Sequence, residues 1–531
     1  MSAPDCAAAI VAQLCAQRVR DVVLSPGSRS APLALALASA ESQGMLRVHV
    51  RTDERSGGFL ALGLAKASGV PSVVVTTSGT AVGNLLPAVM EAHHAGVPVI
   101  VVSADRPAAQ VGFGSNQTTD QSRLFEPFVR WSARVSSSAP ASSWTAQAAR
   151  AWLLAAGLGS RHPGPVHLNV ELAEPLAGAQ PAFPAVREVL QAPPGPADPV
   201  VLASGPRTLL VCGDASPSLG AQVAGLAKDS GLPLVAEPSS NARAAALRTG
   251  RLLLGGPLAD EVERVVVFGH PTLSRPVNRL LARDDVELVV VSATADWVDP
   301  GWRATQIASA VELPTAEAGW TQRWQAADDR VAAALEELVA RQEMLTGPAV
   351  AAAVARSVGN GVLVLGNSQP IRDADLAPLK FPQVYANRGL AGIDGTVSTA
   401  AGIALALGRP VTLLCGDLTF LHDGNGLAAG LGEERPDLRI VVADDNGGSI
   451  FSTLEYGDLA FAGAFERVFG TPSGVDAALL AVAHGIPSER VGTADELAGA
   501  LARPIAGVEV IVAGIDRAGR RALDQAVNAL R

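Results

Sequence analysis

Cysteine is scarce in this sequence, and aromatic side chains are few. Four cysteines stand among 531 residues, and no two of them form a Cys-x-x-Cys pair: Cys6, Cys15, Cys212 and Cys415. This usage argues against a disulfide framework or a zinc site and predicts reduced thiols in packed cores. Because aromatic residues make up only 4% of the chain, the cores must be built from Ala, Val, Leu and Ile.

Basic residues are outnumbered by acidic ones. The chain has 41 Lys and Arg against 51 Asp and Glu, which gives a formal net charge of −10. A general nucleic-acid binder needs a basic face to neutralise phosphates, so this function class is disfavoured. An anionic small-molecule substrate is not excluded, because a cleft can be locally basic on an acidic protein.

Long hydrophobic runs are also missing. The most apolar stretches, such as Val97–Ala104, are too short to span a bilayer. The N-terminus carries Asp5 and lacks the basic-then-apolar pattern of a signal peptide. We therefore expect a cytoplasmic protein.

What the sequence does have is a repeated alternation of apolar strands with Ala- and Leu-rich helices. Asp21–Ser25, Ser72–Thr77 and Val97–Ser103 are continuous rather than alternating apolar runs. Such runs predict strands covered on both faces, as in a parallel sheet. At about 100–200 residues per domain, the length fits an α/β protein of three doubly wound parallel-sheet domains.

Two seams separate these domains. Gln180–Pro199 is rich in proline and predicts a linker, and a second seam follows a predicted helix at Val331–Glu343. The resulting limits are 1–180, 200–343 and 346–531. The middle segment lacks the GxGxxG fingerprint in its first strand-to-helix turn, so we do not predict NAD or FAD there.

Two acids follow successive predicted strands of the last domain. Asp417 comes after PVTLLCG, and Asp445 comes after LRIVVAD and precedes Asn446-Gly447-Gly448. Ligands of open α/β sheets bind outside the carboxyl ends of the strands. Two carboxylates and a backbone carbonyl form a hard oxygen site that suits Mg²⁺ bridging a diphosphate. The alternative interpretation is that each acid caps the helix that follows it.

This spacing resembles the diphosphate-anchoring motif of thiamine-diphosphate enzymes, whose usual form is GDG followed by an NN pair. Here Leu418 replaces the second glycine, and Asp444 and Asp445 occupy the Asn positions. The resemblance implies thiamine diphosphate with Mg²⁺ or Mn²⁺, the metal being held by Asp417, Asp445 and the carbonyl of Gly447. Whether Asp445 or Asn446 supplies the second side chain stays open. The same motif implies cofactor contacts at Gly416, Leu418, Asn446 and Gly447.

The first domain carries the counterpart of the family's catalytic acid. Glu54 stands in RTDERSGG, where the family keeps a carboxylate that bonds the cofactor's pyrimidine and promotes the imino tautomer. Taken alone, Glu54 is an ordinary acid at a helix N-terminus. The glycine-rich Thr76–Asn84 stretch favours the cofactor, with contacts expected at Gly79 and Thr80. Further apolar contacts are implied at three positions: Ile393, Ile450 and Phe451.

Arginine and amide side chains recur in the predicted loops after strands of all three domains. Bidentate pairing with carboxylates makes arginine the usual partner of polyanionic substrates, although solvated surface arginine is the alternative. The candidate substrate-binding residues are Ser28, Arg29, Arg106, Asn116, Gln117, Arg275, Ser368, Arg372 and Arg388.

PGSRS, TSGTAVGN, ADRP, NRGLAGIDG and DNGGSIF together resemble the synthase branch of thiamine-diphosphate enzymes that serves menaquinone biosynthesis. The resemblance covers the whole chain and is thinnest in the middle domain. It implies a pyrimidine-binding, a central Rossmann-like and a diphosphate-binding domain. It also implies decarboxylation of 2-oxoglutarate and addition of the succinyl unit to isochorismate.

By the same resemblance, Arg372 and Arg388 hold the succinyl carboxylate, and Ser368 lies close to the reacting centre. Four further residues are assigned to isochorismate: Arg29, Arg106, Gln117 and Arg275. The family also implies a homodimer or a dimer of dimers with active sites between subunits.

Two other functions stay open at this level. An acetolactate-synthase-like ligase or a simple 2-oxoacid decarboxylase would use the same cofactor on a singly charged substrate, which leaves the arginines unexplained. A non-catalytic regulatory module is the alternative from a different class. His93 and His94 are assigned to the end of a helix rather than to proton transfer.

Overall fold

The named strands of this protein pair only in parallel. The computed structural model describes residues 2–195, 197–294, 296–378 and 383–531. These residues form two six-stranded sheets, one five-stranded sheet and a two-stranded pair, all parallel. Three α/β domains built on parallel sheets were predicted, and the architecture confirms this fold class.

The first sheet is formed by the N-terminal part of the chain. Its strand order is β2-β1-β3-β4-β6-β5. The strands are β1 (Asp21–Leu24), β2 (Arg47–Val50), β3 (Ser72–Thr76), β4 (Val99–Asp105), β5 (Ser132–Ser136) and β6 (Val166–Glu171). The helices are α1 (Ala3–Ala16), α2 (Ala31–Ser42), α3 (Glu54–Ser68), α4 (Thr80–Gly83), α5 (Leu86–Ala95) and α6 (Ala141–Ala156).

The central sheet has the order β12-β11-β10-β8-β9. A separate two-stranded pair is formed by β7 and β13, which come before and after these five strands in the chain. The strands are β7 (Val200–Val201), β8 (Thr208–Cys212), β9 (Leu234–Ala236), β10 (Arg264–Phe268), β11 (Glu287–Val291), β12 (Ala304–Ala308) and β13 (Val311–Glu312). The helices are α7 (Pro217–Ser230), α8 (Gly250–Leu253), α9 (Pro257–Asp260), α10 (Arg275–Leu281) and α11 (Trp320–Ala340).

The last sheet has the order β15-β14-β16-β17-β19-β18. The strands are β14 (Val362–Leu365), β15 (Gln383–Ala386), β16 (Val411–Gly416), β17 (Leu438–Asp444), β18 (Ser488–Val491) and β19 (Val508–Gly514). The helices are α12 (Gly347–Val358), α13 (Gln369–Ala374), α14 (Thr396–Leu407), α15 (Asp417–His422), α16 (Ala462–Phe465), α17 (Ala477–Ala483), α18 (Ala494–Leu501) and α19 (Arg520–Asn528).

The chain divides into two compact units, and each unit is formed by segments that are not contiguous in the sequence. The first unit comprises residues 2–195, 389–409 and 423–437, and the second comprises the rest of the described chain. Within the first unit, α14 packs on α3 at two glycines. A methyl group at Gly63 would overlap the carbonyl of Thr399, and one at Gly402 would overlap the carbonyl of Leu60. Both glycines are required for this close approach.

The strand cores are the buried valine and leucine runs that the sequence contains. All four residues of β1 and all five of β3 are buried, as expected for strands covered on both faces. The Gln180–Pro199 linker contains no helix or strand in its described residues. Its Arg187 and Val189 carbonyls accept hydrogen bonds from Gln13 of α1 and from Gln17, the residue that follows α1.

The helix predicted at Val331–Glu343 was wrong at both ends. It spans Trp320–Ala340, with Gly319 preceding it at φ 83°. Its buried face is formed by Trp320, Trp324 and later small or aliphatic residues. The polar residues between the two tryptophans hid this face in the sequence. Among the described residues, no helix is both long and apolar enough to cross a bilayer.

Candidate active site

Asp417 and Asp445 lie at the carboxyl ends of two neighbouring parallel strands. β16 and β17 pair in a register that sets Gly416 opposite Ala443. Asp417 is the first residue of α15, and Asp445 follows the last residue of β17. Their exposed fractions are only 5% and 9%. The two carboxylates that the sequence singled out are therefore buried at one edge of the last sheet.

Burial dominates the electrostatics of this pair, although the charges of Arg517 and Arg520 act on Asp445 in the opposite direction. Burial, and then the charge of Asp445, raises the pKa of Asp417 to about 7, against hydrogen bonds from the Leu418 and Gly447 backbone. Burial raises the pKa of Asp445 to about 6. One Asp445 oxygen, Oδ1, is buried and has no hydrogen-bond partner among the described residues. Buried carboxylates of this kind require pairing or a metal, and the donor set fits Mg²⁺.

The turn after Asp445 is built for close backbone approach. Gly447 has φ 144°, and a side chain there would overlap the carbonyl of Gly470. Asn446 is exposed, and its carbonyl accepts a hydrogen bond from Arg517. Asp445 is therefore the buried member of the two candidate side chains. The described part of the chain contains no group of three or more His, Cys, Asp or Glu side chains placed to hold a metal.

Ile450 and Phe451 follow this turn and are half-buried. The Phe451 ring lies 5.7 Å from that of Phe469, centroid to centroid. Both side chains belong to a run of short 3-10 turns, between Ser449 and Phe461, that follows the acid pair.

Arg388 is a buried guanidinium on the last sheet. It is 3% exposed and follows β15. Its Nη1 donates to Asn367 Oδ1 at 2.7 Å, and its Nη2 donates to Thr272 Oγ1 at 2.6 Å. Its Nε is buried without a hydrogen-bond partner among the described residues.

Arg372 lies near Arg388, on α13. Burial, and then the charges of Arg388 and Arg251, lowers the pKa of the Arg372 guanidinium. Its Nη1 donates to the carbonyl of Ser368 at 2.6 Å. Ser368 adopts φ 74° and ψ −133°, a strained backbone for a residue with a side chain. Two neighbouring guanidiniums, one half-buried and one buried, favour an anion as their common partner.

Arg275 has a different environment from the one predicted. It is the first residue of α10, it is exposed, and it forms a bidentate ion pair with Glu455 at 2.7 and 3.3 Å. The sequence did not single out Glu455, because nothing in its local pattern marks a partner 180 residues away.

Glu54 is the first residue of α3 in the first unit. Asp53 caps this helix by accepting from the N–H groups of Arg55 and Ser56. The Glu54 carboxylate accepts a hydrogen bond from Asn84 Nδ2 at 3.1 Å. The structure thus joins Glu54 to the Thr76–Asn84 stretch that the sequence placed beside it.

Gly79 and Thr80 form the turn that begins α4. Gly79 adopts φ 81° and ψ −134°. Its N–H donates to Oε1 of the buried Gln121 at 3.1 Å. Gln121 also donates to Asn169 Oδ1 at 2.8 Å. Sequence reasoning missed Gln121, although it lies in the same GSNQTTDQ loop as two predicted substrate residues.

Three of the substrate-binding candidates of the first unit lie together. Arg106 Nη1 donates to Ser78 Oγ at 3.1 Å and to the Gln117 carbonyl at 2.9 Å. Gln117 Nε2 donates to the Ser78 carbonyl at 2.9 Å. Burial, and then the charge of Arg106, lowers the pKa of Arg29. Arg29 also donates to the Leu172 carbonyl at 3.0 Å.

The remaining candidates of this unit lie at or near its surface. Ser28 and Asn116 are exposed, and Ile393 is half-buried. The turn that leads to Ile393 is held by Glu91, whose carboxylate accepts from the N–H groups of Gly389 and Leu390, each at 2.8 Å. Glu91 was not a candidate from sequence.

The histidine pair lies in the last turn of α5, as predicted. His93 Nδ1 is 3.0 Å from the Phe128 carbonyl, and the His93 and His94 rings meet edge to face. This placement agrees with the assignment of the pair to a helix end.

Comparison with known proteins places both groups of residues in one class. Residues 4–124 match the family model of the thiamine pyrophosphate enzyme N-terminal TPP binding domain. Residues 366–513 match that of the C-terminal TPP binding domain. The fold and the two matches define a thiamine-diphosphate-dependent enzyme.

Relatives refine this class. A 2-succinyl-5-enolpyruvyl-6-hydroxy-3-cyclohexene-1-carboxylate synthase of Kineococcus radiotolerans is 51% identical over 92% of this chain and 91% of its own. Proteins of the same name from Nocardioides sp. and Rhodococcus erythropolis are 47% and 42% identical, over 100% and 98% of this chain and 98% of each relative. The chain belongs to the 2-succinyl-5-enolpyruvyl-6-hydroxy-3-cyclohexene-1-carboxylate synthase family.

Proposed function

We propose that this enzyme decarboxylates 2-oxoglutarate with thiamine diphosphate and Mg²⁺ and adds the succinyl unit to isochorismate. The products are 2-succinyl-5-enolpyruvyl-6-hydroxy-3-cyclohexene-1-carboxylate and CO₂, in menaquinone biosynthesis. The observation that carries this substrate choice is the pair of neighbouring guanidiniums, the half-buried Arg372 and the buried Arg388. A substrate with a second carboxylate far from its reacting carbon supplies an anion that both guanidiniums can bind.

The residues at the end of β16 and β17 suit the metal and the diphosphate. Asp417, Asp445 and the carbonyl of Gly447 would hold Mg²⁺ or Mn²⁺, with Gly416, Leu418 and Asn446 flanking it. The orphaned Oδ1 of Asp445 supports Asp445 over Asn446 as the ligand. When bound, thiamine diphosphate supplies a nucleophilic carbon that accepts the acyl group of a 2-oxoacid.

The polar residues bind, orient and exchange protons. Glu54, oriented by Asn84, would bond the cofactor's pyrimidine ring, and Gly79 and Thr80 would pack beside that ring. Ile393, Ile450 and Phe451 would exclude water from the reacting carbon. Arg372 and Arg388 would hold the distal carboxylate, with the Ser368 hydroxyl donating near the reacting group.

The residues proposed for isochorismate are Arg29, Arg106 and Gln117, which lie together in the first unit, and Arg275. Ser28 and Asn116 stay further candidates for substrate binding. To bind through Arg275, the substrate must displace Glu455 from the ion pair seen in this structure. Solvent screening makes an exposed pair of this type weak, so a dicarboxylate substrate can compete with Glu455 for Arg275.

We further propose that the enzyme is cytoplasmic and works as a homodimer or a dimer of dimers with active sites between subunits. Its domains would be 1–180 for the pyrimidine ring, 200–343 in the centre and 346–531 for the diphosphate. Light scattering coupled to size exclusion, with activity measured across the peak, tests the assembly. An active species with monomer mass would contradict it.

The decisive experiment is a steady-state assay with 2-oxoglutarate and isochorismate, with and without thiamine diphosphate and Mg²⁺. We expect turnover only when all four are present. Pyruvate in place of 2-oxoglutarate is the control, because its single carboxylate leaves the arginine pair unmatched. Faster turnover of pyruvate would assign the chain to acetolactate-type ligation or simple decarboxylation instead.

A further inference from the structure

Two loops meet at the carboxyl end of the central sheet. Open α/β sheets bind ligands where the strand order reverses, which here lies between β8 and β10. At this point the Asp214 and His270 backbones exchange hydrogen bonds of 3.1 and 2.9 Å. A side chain at Gly213 would overlap Pro271. Buried or half-buried polar residues follow the strands on either side of this point, among them Glu237 after β9 and Thr272 after β10.

Glu237 is a buried acid. It follows β9, is 5% exposed, and accepts hydrogen bonds from the N–H groups of Thr272 and Leu273 at 2.8 and 2.7 Å. Burial raises its pKa to about 8, while the nearby charge of Arg388 acts in the opposite direction. Glu237 thus fixes the backbone of the turn after β10, close to Arg388.

Thr272 carries this support to the guanidinium. Its hydroxyl oxygen accepts from Arg388 Nη2 at 2.6 Å, while Asn367 of the last sheet accepts from Nη1. A guanidinium held by one acceptor can still swing about that contact. Two acceptors on different sheets fix its plane, and the remaining N–H groups keep a defined direction.

A second tether fixes the strand that leads to Arg388. The Asn241 side chain pairs with the backbone of Val384 in β15, donating to its carbonyl at 3.0 Å and accepting from its N–H at 2.7 Å. β15 is the edge strand of the last sheet. The central sheet therefore holds both β15 and the side chain that follows it.

We propose that Thr272, fixed by Glu237, is a positioning residue for Arg388, and that the central sheet serves to orient this guanidinium toward the distal carboxylate of 2-oxoglutarate. The inference rests on the proposed function, and it gives the central domain a role in substrate affinity. Thr272 does not touch the substrate, and its effect passes entirely through Arg388.

Thr272→Val tests this role, because valine keeps the shape and removes the acceptor. We expect KM for 2-oxoglutarate to rise roughly tenfold, the usual effect of losing a hydrogen bond to a charged group. KM for isochorismate and the half-saturating thiamine diphosphate concentration should change less than about twofold on the same scale. Thr272→Ser restores the hydroxyl and should return KM for 2-oxoglutarate to the wild-type value.

Several outcomes would overturn the inference. It fails if Thr272→Val and Thr272→Ser have the same KM for 2-oxoglutarate, or if both substrates lose affinity equally. If the valine variant does not fold, Thr272→Ala replaces it, with thermal unfolding showing that the fold is retained. A wild-type enzyme that does not turn over 2-oxoglutarate with isochorismate refutes the proposed function, and this inference falls with it.

Discussion

The first and last sheets of this protein have the same topology but carry different functional groups after their strands. Counted within each sheet, the strand order is 2-1-3-4-6-5 in both. After the third and fourth strands, the last sheet carries the buried carboxylates of Asp417 and Asp445. The first sheet carries the Ser78–Gly79 turn and the Asp105–Arg106 pair at the same places. One scaffold thus supports two different sites, and the loops alone decide which.

The two sheets also differ in how they satisfy their acids. Asp105 accepts from Asn169 Nδ2 at 2.9 Å and from the Arg106 N–H at 2.8 Å. Asp445 keeps one buried oxygen without a partner among the described residues. A buried carboxylate oxygen without a hydrogen-bond partner is costly, and a bound cation would offset that cost. This difference supports our proposal that the metal binds at the last sheet.

The largest effect should come from the acid of the first sheet. Glu54→Gln keeps the size of the side chain and its acceptor for Asn84 while removing the negative charge. We expect kcat to fall roughly a thousandfold, within the range for loss of an acid–base group. Thiamine diphosphate affinity, measured by fluorescence titration, should stay near wild type.

Asn84→Ala is the matched control for Glu54→Gln. It leaves the carboxylate in place and removes only the donor that orients it, so the loss in kcat should be much smaller. Near-wild-type activity of Glu54→Gln would show that the first sheet contributes no catalytic acid. The proposal that the first sheet supplies the acid and the last sheet the metal ligands would then be wrong.

The next effect concerns the metal of the last sheet. Asp445→Asn should lower the affinity for Mg²⁺ roughly a hundredfold, because it removes a charged ligand. Asn446→Ala should leave Mg²⁺ affinity close to wild type, because the Asn446 side chain is exposed. The measurement is a Mg²⁺ titration of both activity and melting temperature. The reverse ranking would make Asn446 the ligand and Asp445 a buried structural acid.

The fold and the acid pair could be predicted because both are local in sequence. Continuous valine runs mark the buried parallel strands, and Asp417 and Asp445 directly follow two of them. Parallel strands bring their carboxyl ends to one edge, so the two acids had to meet. The same reasoning placed Glu54 and the Thr76–Asn84 stretch in one domain.

The support of the site could not be predicted. The supporting side chains form hydrogen bonds with backbone or side-chain groups that are distant in the sequence, and no periodicity or motif predicts such contacts. These residues are Glu91, Gln121, Glu237 and Thr272. For Arg275 the sequence likewise contained no sign of its partner in this structure, Glu455. Sequence position identifies which charges follow strands, whereas only the folded chain shows how they are paired.

A smaller difference between the sheets concerns one interior position. His167, the second residue of β6, is buried, and burial lowers its pKa from 6.5 to about 3. The second residue of β19 is Glu509, which pairs with the buried Arg439 at 2.7 Å. A depressed pKa means that the unfolded chain binds the proton first. Stability due to neutral His167 is present above pH 6.5 and is lost as the pH falls toward 3.

His167→Gln should remove this acid sensitivity. At pH 5 the linkage amounts to about 2 kcal/mol, relative to neutral pH. We expect the wild type to lose that much more unfolding free energy than the variant between pH 7 and pH 5, measured by urea denaturation. The difference between the two proteins cancels the other titrating groups. Parallel pH profiles would mean that His167 takes up its proton without unfolding the first sheet.

The smallest effect lies in two turns with the same backbone geometry. Gly79 after β3 has φ 81° and ψ −134°, and Ser368 after β14 has φ 74° and ψ −133°. Glycine adopts this conformation freely, whereas serine is strained there. Ser368→Gly should therefore raise the unfolding free energy by about 1 kcal/mol, measured by denaturant titration, while lowering kcat.

Ser368→Ala separates the strain of this turn from its chemistry. Alanine also lacks the hydroxyl, so its kcat should fall as far as that of the glycine variant. Because alanine keeps a Cβ at positive φ, it should gain no stability. If the glycine and alanine variants have the same unfolding free energy, the backbone of this turn is not strained in the wild-type protein. A gain in stability confined to the glycine variant would mean that the backbone of Ser368 is strained and that the last sheet loses stability by placing a hydroxyl in this turn.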